Sequence, residues 1–232
     1  MGEGRCIMNI TQSSIRSARD QVYYWLKEDI MKFRLIPGTH ISEKEISEKY
    51  EVSRTPVREA FLQLSKEGLL EIYPQKGTRV SLIDLDLVEE ARFMRENLEK
   101  AVAELACRHF PEQTMIELEQ NVKMQEMSID QKNYESLFDL DEAFHSMIFE
   151  GCRKANIWSA IQQMNVPFRR IRFLRLAADF NWDTIYEQHA ALIEAIKAHQ
   201  PSEARRIAEE HLKLVIVDKE MLIEEFPGYF KK

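Results

Sequence analysis

The chain has 232 residues, 44% of them hydrophobic, which is enough for one large domain or two modest ones, each with a buried core. No run approaches the roughly 18 apolar residues of a membrane span, and the N-terminus lacks the layout of a secretion signal, so a soluble, cytoplasmic protein with no membrane partner is expected. The net charge of −7 conceals a split: residues 1–80 carry 13 Lys and Arg against 11 Asp and Glu, the remainder 19 against 28, so only the first third can attract a polyanion.

The three cysteines, Cys6, Cys107 and Cys152, form no C-x-x-C pair, which excludes a disulfide framework and a thiolate zinc site and fits a reducing compartment. Between Gly77 and Gly228 the sole glycine is Gly151, so that stretch has almost no hairpin chemistry and must be mostly helix.

Residues 1–13 lack periodicity and read as a flexible arm. Over 15–33 the apolar residues Ile15, Ala18, Val22, Trp25 or Leu26, Ile30 and Phe33 keep helical spacing until Pro37-Gly38 stops the run. Ser42, with Glu45 three residues on, forms a capping box for a short helix reaching Tyr50. A further helix starts after Ser53, with Pro56 tolerated in its first turn because the backbone N–H there has no intrahelical partner. Its buried stripe is Val57, Ala60 or Phe61, and Leu64, which leaves Arg54, Thr55 and Arg58 exposed at its N-terminal end. Strands over 69–73 and 78–82 flank Pro74-Gln75-Lys76-Gly77, a hairpin with a basic tip. Helix, short helix, basic-ended helix and hairpin is the order of a winged helix-turn-helix, which presents its recognition helix to the DNA major groove. The bland account is that any two helices joined by a short turn look alike; the hairpin makes the pattern more specific.

Beyond 83 the periodicity predicts helices near 84–108, 112–128, 132–152, 156–179, 183–199 and 202–224, the fourth kinked at Pro167. Four polar residues interrupt their apolar stripes. Asp141 and His145 share one face with Leu137, Phe138, Ile148 and Phe149; His189 falls between Ile185 and Leu192; His211 follows Ala204 and Ile207. Each buried polar group needs a partner, either separately or through one cation bound by all four. Three imidazoles and a carboxylate favour the cation, with Zn²⁺ the first choice among Zn²⁺, Ni²⁺, Mn²⁺ and Fe²⁺, and leave up to two positions of an octahedron open. His40, His109 and His199 lie at loops or helix ends and read as solvated. Arg95 sits in the stripe Ala91, Leu98, Val102, Leu105; its guanidinium either snorkels to Glu99 or points inward and needs an anion, with Arg172 and Arg175 weaker candidates for the same task. Glu142 follows Asp141 but is assigned to another helix face, so no general base stands beside the site.

The run ISEKEISEKYEVSRTPVREA over 41–60, followed by KEGLL over 66–70 and QKGTRV over 75–80, closely resembles the winged-helix domain of GntR-family transcription regulators. The helical remainder of the chain resembles the FadR subgroup, whose all-helical effector domain is called FCD, and the likeness spans 15–225. The resemblance implies DNA contacts at Lys44, Arg54, Thr55, Arg58 and Gly77, a metal held by Asp141, His145, His189 and His211, and an effector carboxylate met by Arg95; Ser53 and Lys76 join the DNA-contact candidates and Arg172 the effector candidates from the sequence itself. Lys44 departs from the arginine usual in the subgroup: a lysine holds a phosphate but lacks the bidentate fork.

The expected protein is mainly α: an arm over 1–13, a winged helix-turn-helix over 14–82, an all-helical metal- and effector-binding bundle over 83–226 and a tail over 227–232. It is read as a homodimeric regulator whose affinity for a double-stranded operator responds to a small carboxylate metabolite at the metal. The alternatives are a regulator for which the metal itself is the signal and a metal-dependent enzyme tethered by its N-terminal domain.

Overall fold

The computed structural model describes residues 17–178 and 182–231; the arm over 1–13 and Ile15 lie outside the described residues. Helix α1 (Ala18–Met31) starts at Ser17, whose hydroxyl accepts from the Asp20 N–H. It buries Val22, Leu26 and Ile30, while Trp25 turns outward to meet the Tyr50 ring at 5.0 Å, so Leu26 and not Trp25 is the inward residue. Then come β1 (His40–Ile41), α2 (Glu43–Lys49), α3 (Arg54–Lys66), β2 (Leu70–Tyr73) and β3 (Gly77–Val80). Both halves of the capping box are present at α2: Glu45 N–H donates to Ser42 Oγ at 3.2 Å, and Ser42 N–H donates to Glu45 Oε2 at 2.9 Å. The strands form an antiparallel sheet in the order β1-β3-β2, with His40 opposite Arg79 and Ile72 opposite Thr78. Strand β1 went unread in the sequence because two residues carry no alternation. Val57, Ala60, Phe61 and Leu64 of α3 close a core over α1 and the sheet.

Helix α4 (Leu85–Ala106) begins at Asp84, whose carboxylate accepts from the Asp86 and Leu87 N–H groups. After it come α5 (Glu112–Asp130), α6 (Tyr134–Gly151), α7 (Ala155–Met164), α8 (Val166–Ala177), α9 (Trp182–Lys197), α10 (Pro201–Val217) and α11 (Lys219–Glu225). Two expected helices are each divided. The stretch read as one helix from 156 breaks at Asn165, so Pro167 stands in the first turn of α8, where its missing N–H costs nothing, and does not kink a continuous helix. The last expected helix breaks at Asp218, whose carboxylate is drawn inward to the Arg175 Nε. Phe144, Ile148, Phe149, Ile161, Leu192 and Ile196 form the centre of the bundle.

The two parts share contacts. Val166 of α8 is packed into the N-terminal core, and the Phe33 ring lies between Phe173 of α8 (6.0 Å) and Tyr229 (5.8 Å). Residues after α11 pair with the connecting segment: Ile83 N–H donates to the Tyr229 carbonyl at 2.8 Å and Lys231 N–H to the Ile83 carbonyl at 2.9 Å.

The capping box supports a quantitative expectation. Ser42→Ala removes the acceptor for the Glu45 N–H and should lower stability by about 1 kcal/mol, whereas Ser42→Asp should retain most of it. Urea denaturation of the two variants checks this; equal losses would show that the cap does not act through its side-chain oxygen.

Candidate functional site

Asp141 and His145 lie one turn apart on α6, His189 comes from α9 and His211 from α10. All four are buried, and one ligand atom from each lies within 4.8 Å of all the others. The Nε2 atoms of His145, His189 and His211 stand 3.9, 3.7 and 3.8 Å from Asp141 Oδ1, and the first and third of these nitrogens are 3.2 Å apart. Ligands at about 2.1 Å from a common ion lie roughly 3.0 Å apart in an octahedron and roughly 3.4 Å apart in a tetrahedron, so the set is near coordination spacing without large rearrangement.

The outer nitrogens decide what the inner ones are. His145 Nδ1 is 2.7 Å from Glu99 Oε2, His189 Nδ1 is 2.8 Å from Gln125 Oε1, and His211 Nδ1 is 3.1 Å from Gln188 Oε1. Every one of these partners is an acceptor, so each Nδ1 carries the proton and donates, and each Nε2 turns a lone pair toward the centre. Asp141 repeats the pattern, with Oδ2 taken by Arg172 and Oδ1 facing inward. With all three rings neutral, four electron-pair donors converge with no hydrogen between them; His189 Nε2 has no hydrogen-bond partner, and the 3.2 Å contact of His145 Nε2 with His211 Nε2 is a hydrogen bond only if one of these rings carries a second proton. A shared cation relieves this arrangement. Burial pushes the His189 imidazole down to about 3 and that of His211 well below its usual value, so both are neutral, as metal ligands must be. Burial raises the Asp141 carboxyl, but Arg172 foremost, with Arg95, outweighs it and holds it below the usual carboxylate range.

Around the ligands lies a layer of paired charges. Arg95 is fully buried; its Nε donates to Glu99, its Nη1 to Glu142 Oε1 at 3.1 Å, and its Nη2 has no partner. The two readings of Arg95 thus meet: it contacts Glu99, yet it does so from inside the bundle. Arg172 bridges Asp141 and Glu142, and Arg169 Nε lies 3.1 Å from Glu142 Oε2. Glu142, assigned from the sequence to another face, is drawn into this layer by the three guanidinium groups, which overcome the cost of burial and hold it ionised. A narrow cavity with room for roughly one water molecule reaches Asp141 and His211 past Arg172, Arg175 and Phe168, and Arg175 Nη2 is likewise unpartnered. His199 stands apart, with Nδ1 2.7 Å from the Cys107 carbonyl.

Sequence reasoning missed the supports Gln125 and Gln188. Gln125 carried the signal that exposed the histidines, since it continues the buried face of Leu118, Asn121 and Val122 on α5. Its Nε2 donates to Asn121 Oδ1 at 2.7 Å, which turns Oε1 toward His189. Gln188 gave no such signal, being half-buried beside a ligand.

At the other end of the chain, Lys44, Ser53, Arg54, Thr55, Arg58, Lys76 and Gly77 are all exposed. Ser53 precedes α3 without making a side-chain cap, and Arg54 and Thr55 open its first turn. Arg58 is held by both oxygens of Glu43, at 2.8 and 2.9 Å. Lys76 and Gly77 are at the hairpin tip, where Gly77 has φ +97°, a conformation that favours glycine.

Residues 18–80 match the family described as "Bacterial regulatory proteins, gntR family", and residues 90–214 match the FCD domain. The HTH-type transcriptional repressor RspR of Escherichia coli is 30% identical over 91% of this chain and 93% of its own. Among solved structures, E. coli McbR/YncC shares the fold with a TM-score of 0.74 at 22% identity, over 90% of this chain and 99% of the other. A GntR regulator from Rhodococcus sp. RHA1 has a TM-score of 0.70 at 18% identity, over 89% and 97%.

Gln125→Leu would leave the buried His189 Nδ1–H without an acceptor in nearly the same volume. The expected loss of stability is about 1–3 kcal/mol, the cost of a buried unsatisfied donor. Urea denaturation of chelator-treated protein reads it apart from any metal contribution, and an unchanged midpoint would show that His189 is not oriented by this bond.

Proposed function

The chain belongs to the gntR family of bacterial regulatory proteins and carries an FCD domain, and on that premise we propose that it is a homodimeric, cytoplasmic repressor controlled by a small carboxylate at a metal centre. As a member of this family it is a DNA-binding transcription regulator and not an enzyme. Repressor action is carried over from RspR, which is named a repressor. The observation that supports the metal centre is the convergence of three Nε2 lone pairs and Asp141 Oδ1, each ligand fixed from behind by an acceptor or a guanidinium. A divalent transition metal bound there, with Zn²⁺ the first choice among Zn²⁺, Ni²⁺, Mn²⁺ and Fe²⁺, would supply open positions for an oxygen ligand. The carboxylate reading over the metal-as-signal reading is supported by the cavity that reaches Asp141 and His211 and by the unpartnered donors on Arg95 and Arg175. Arg172, tied to Asp141 and Glu142, would orient the ligand set and meet the carboxylate only from the side.

For DNA, the exposed start of α3 and the hairpin tip are the surfaces offered to the double helix. Arg54 and Arg58 suit guanine edges; Ser53, Thr55, Lys44, Lys76 and the Gly77 backbone suit phosphates. In a two-fold dimer these helices would read half-sites one turn, about 34–36 Å, apart, and effector binding would favour a different spacing.

The metal is tested by mass spectrometry on protein made without a histidine tag. About one transition metal per chain is expected, with a lower melting temperature after chelation, because a ligand bound only to the native state stabilises it. His189→Ala should lose the metal and His199→Ala should keep it. No stoichiometric metal, together with no stabilisation by added Zn²⁺, Ni²⁺ or Mn²⁺, would reduce the four residues to a buried polar network. For the DNA face, Arg58→Ala should weaken operator binding by about 1–3 kcal/mol at fixed salt while leaving non-specific DNA affinity much less changed. Equal losses on both DNAs would make Arg58 a phosphate contact.

A further inference from the structure

The junction between the winged helix and the bundle contains a charged group that neither DNA binding nor the metal centre uses. Arg170, on α8, is only 3% exposed. Its Nη2 donates to the Ser81 carbonyl at 2.8 Å, and its Nε has no hydrogen-bond partner. The other buried arginines each meet a carboxylate: Arg92 meets Glu96, Arg95 meets Glu99, Arg172 meets Asp141, and Arg175 meets Asp218. Among the described residues Arg170 has no such partner, and burial alone pushes its guanidinium down to about 10. A buried guanidinium without a counter-charge is costly and is relieved by an anion.

Arg170 lines a cavity of about 260 Å³, whose walls come from both parts of the chain. Leu82, Leu87 and Pro167 give it an apolar side. Its three carboxylates are already engaged: Glu67 with Lys27 at 2.7 Å, Glu71 with Arg79 at 2.6 Å and Asp84 with Lys231 at 3.1 Å. They do not neutralise Arg170, yet their proximity disfavours a ligand with more than one negative charge. We propose that this interdomain cavity is a second ligand site that takes a singly charged organic carboxylate, its oxygens on Arg170 and its apolar body against Leu82, Leu87 and Pro167. Gly68 and Leu70 on one wall belong to the winged helix and Arg170 to the bundle, so an occupant bridges the two and favours the arrangement in which they are docked.

The test titrates the full chain with hexanoate, benzoate and inorganic phosphate, following heat of binding and melting temperature. Saturable binding of at least one monocarboxylate with a raised Tm, and none of phosphate, is expected. Arg170→Gln, which keeps a donor near Ser81, should weaken it at least tenfold. Leu87→Trp, which fills the cavity from its exposed rim without altering the guanidinium, should do the same. Binding should persist in chelator-treated wild type and in His189→Ala, which keeps this site distinct from the metal centre. Binding that survives Arg170→Gln but disappears on chelation would assign the carboxylate to the metal centre and overturn the proposal. Phosphate binding as tight as that of the monocarboxylates, or no saturable binding of either monocarboxylate, would overturn it too. So would dissociation of a wild-type dimer by Arg170→Gln, because the guanidinium would then answer an acid of a second copy.

Discussion

The helical bundle is organised around one electrostatic constraint: Asp141, His145, His189 and His211 bring polar atoms face to face in its interior, and each must find a partner. His145 Nε2 and His211 Nε2, 3.2 Å apart, cannot bond to one another while both rings are neutral and both Nδ1 atoms donate outward. Three helices are tied to this point, α6 by two ligands and α9 and α10 by one each, while α4 and α5 hold the ring orientations through Glu99 and Gln125. The apolar core supplies the cohesion, but it would tolerate other registers of the same stripes; the polar centre accepts one. That is why Phe144 stacks on the His189 ring at 4.1 Å, and why Trp158 lies 6.3 Å from the His145 ring at an angle of 20°. The His145 and His189 rings are fixed by a bond at the Nδ1 edge and packing on a face.

Helix α8 connects this centre to the DNA-binding end. Its Arg172 holds Asp141, the next residue, Phe173, stacks on Phe33 at the end of α1, and Val166 at its start is packed among Val22, Leu26 and Ile30. A change in the position of Asp141 therefore has a short physical path to α1 through one rigid element. The salt bridges Lys32–Asp139 at 3.4 Å and Arg34–Glu135 at 3.1 Å run beside that path and join α6 directly to the same end of α1. Coupling of the two ends along this route requires an element with two discrete arrangements that both ends bias.

How much of this was legible in the sequence depends on the length scale of each feature. Helices of several turns announced themselves by period, and the buried polar cluster by breaking it: Asp141, His145, His189 and His211 stood out because each stands where only apolar residues belong. The capping box at Ser42 was equally plain, since its two residues lie three apart. Features made by contacts between distant segments were hidden. Strand β1 is two residues long and exists only because β3 comes to lie beside it. The break at Asn165 depends on α8 turning its first residue, Val166, into the N-terminal core. Glu142 looked like a residue of another face because the turn angle places it away from Asp141, whereas Arg95, Arg169 and Arg172 make that other face an interior one.

The charge balance of the buried layer bears on what the proposed metal centre would bind. Glu99, Asp141 and Glu142 stand against Arg95, Arg169 and Arg172, and these charges cancel. The imidazoles of His189 and His211 are held neutral by burial. A divalent cation at their focus adds two positive charges to a region that was balanced without it, in surroundings of low dielectric where the excess is poorly screened. A neutral ligand leaves that excess intact, while a carboxylate in an open position halves it and can accept from the unpartnered Arg95 Nη2 or Arg175 Nη2. In the proposed centre, affinity for organic acids would therefore be a property of the whole layer: the paired arginines set the balance, and a bound metal would displace it.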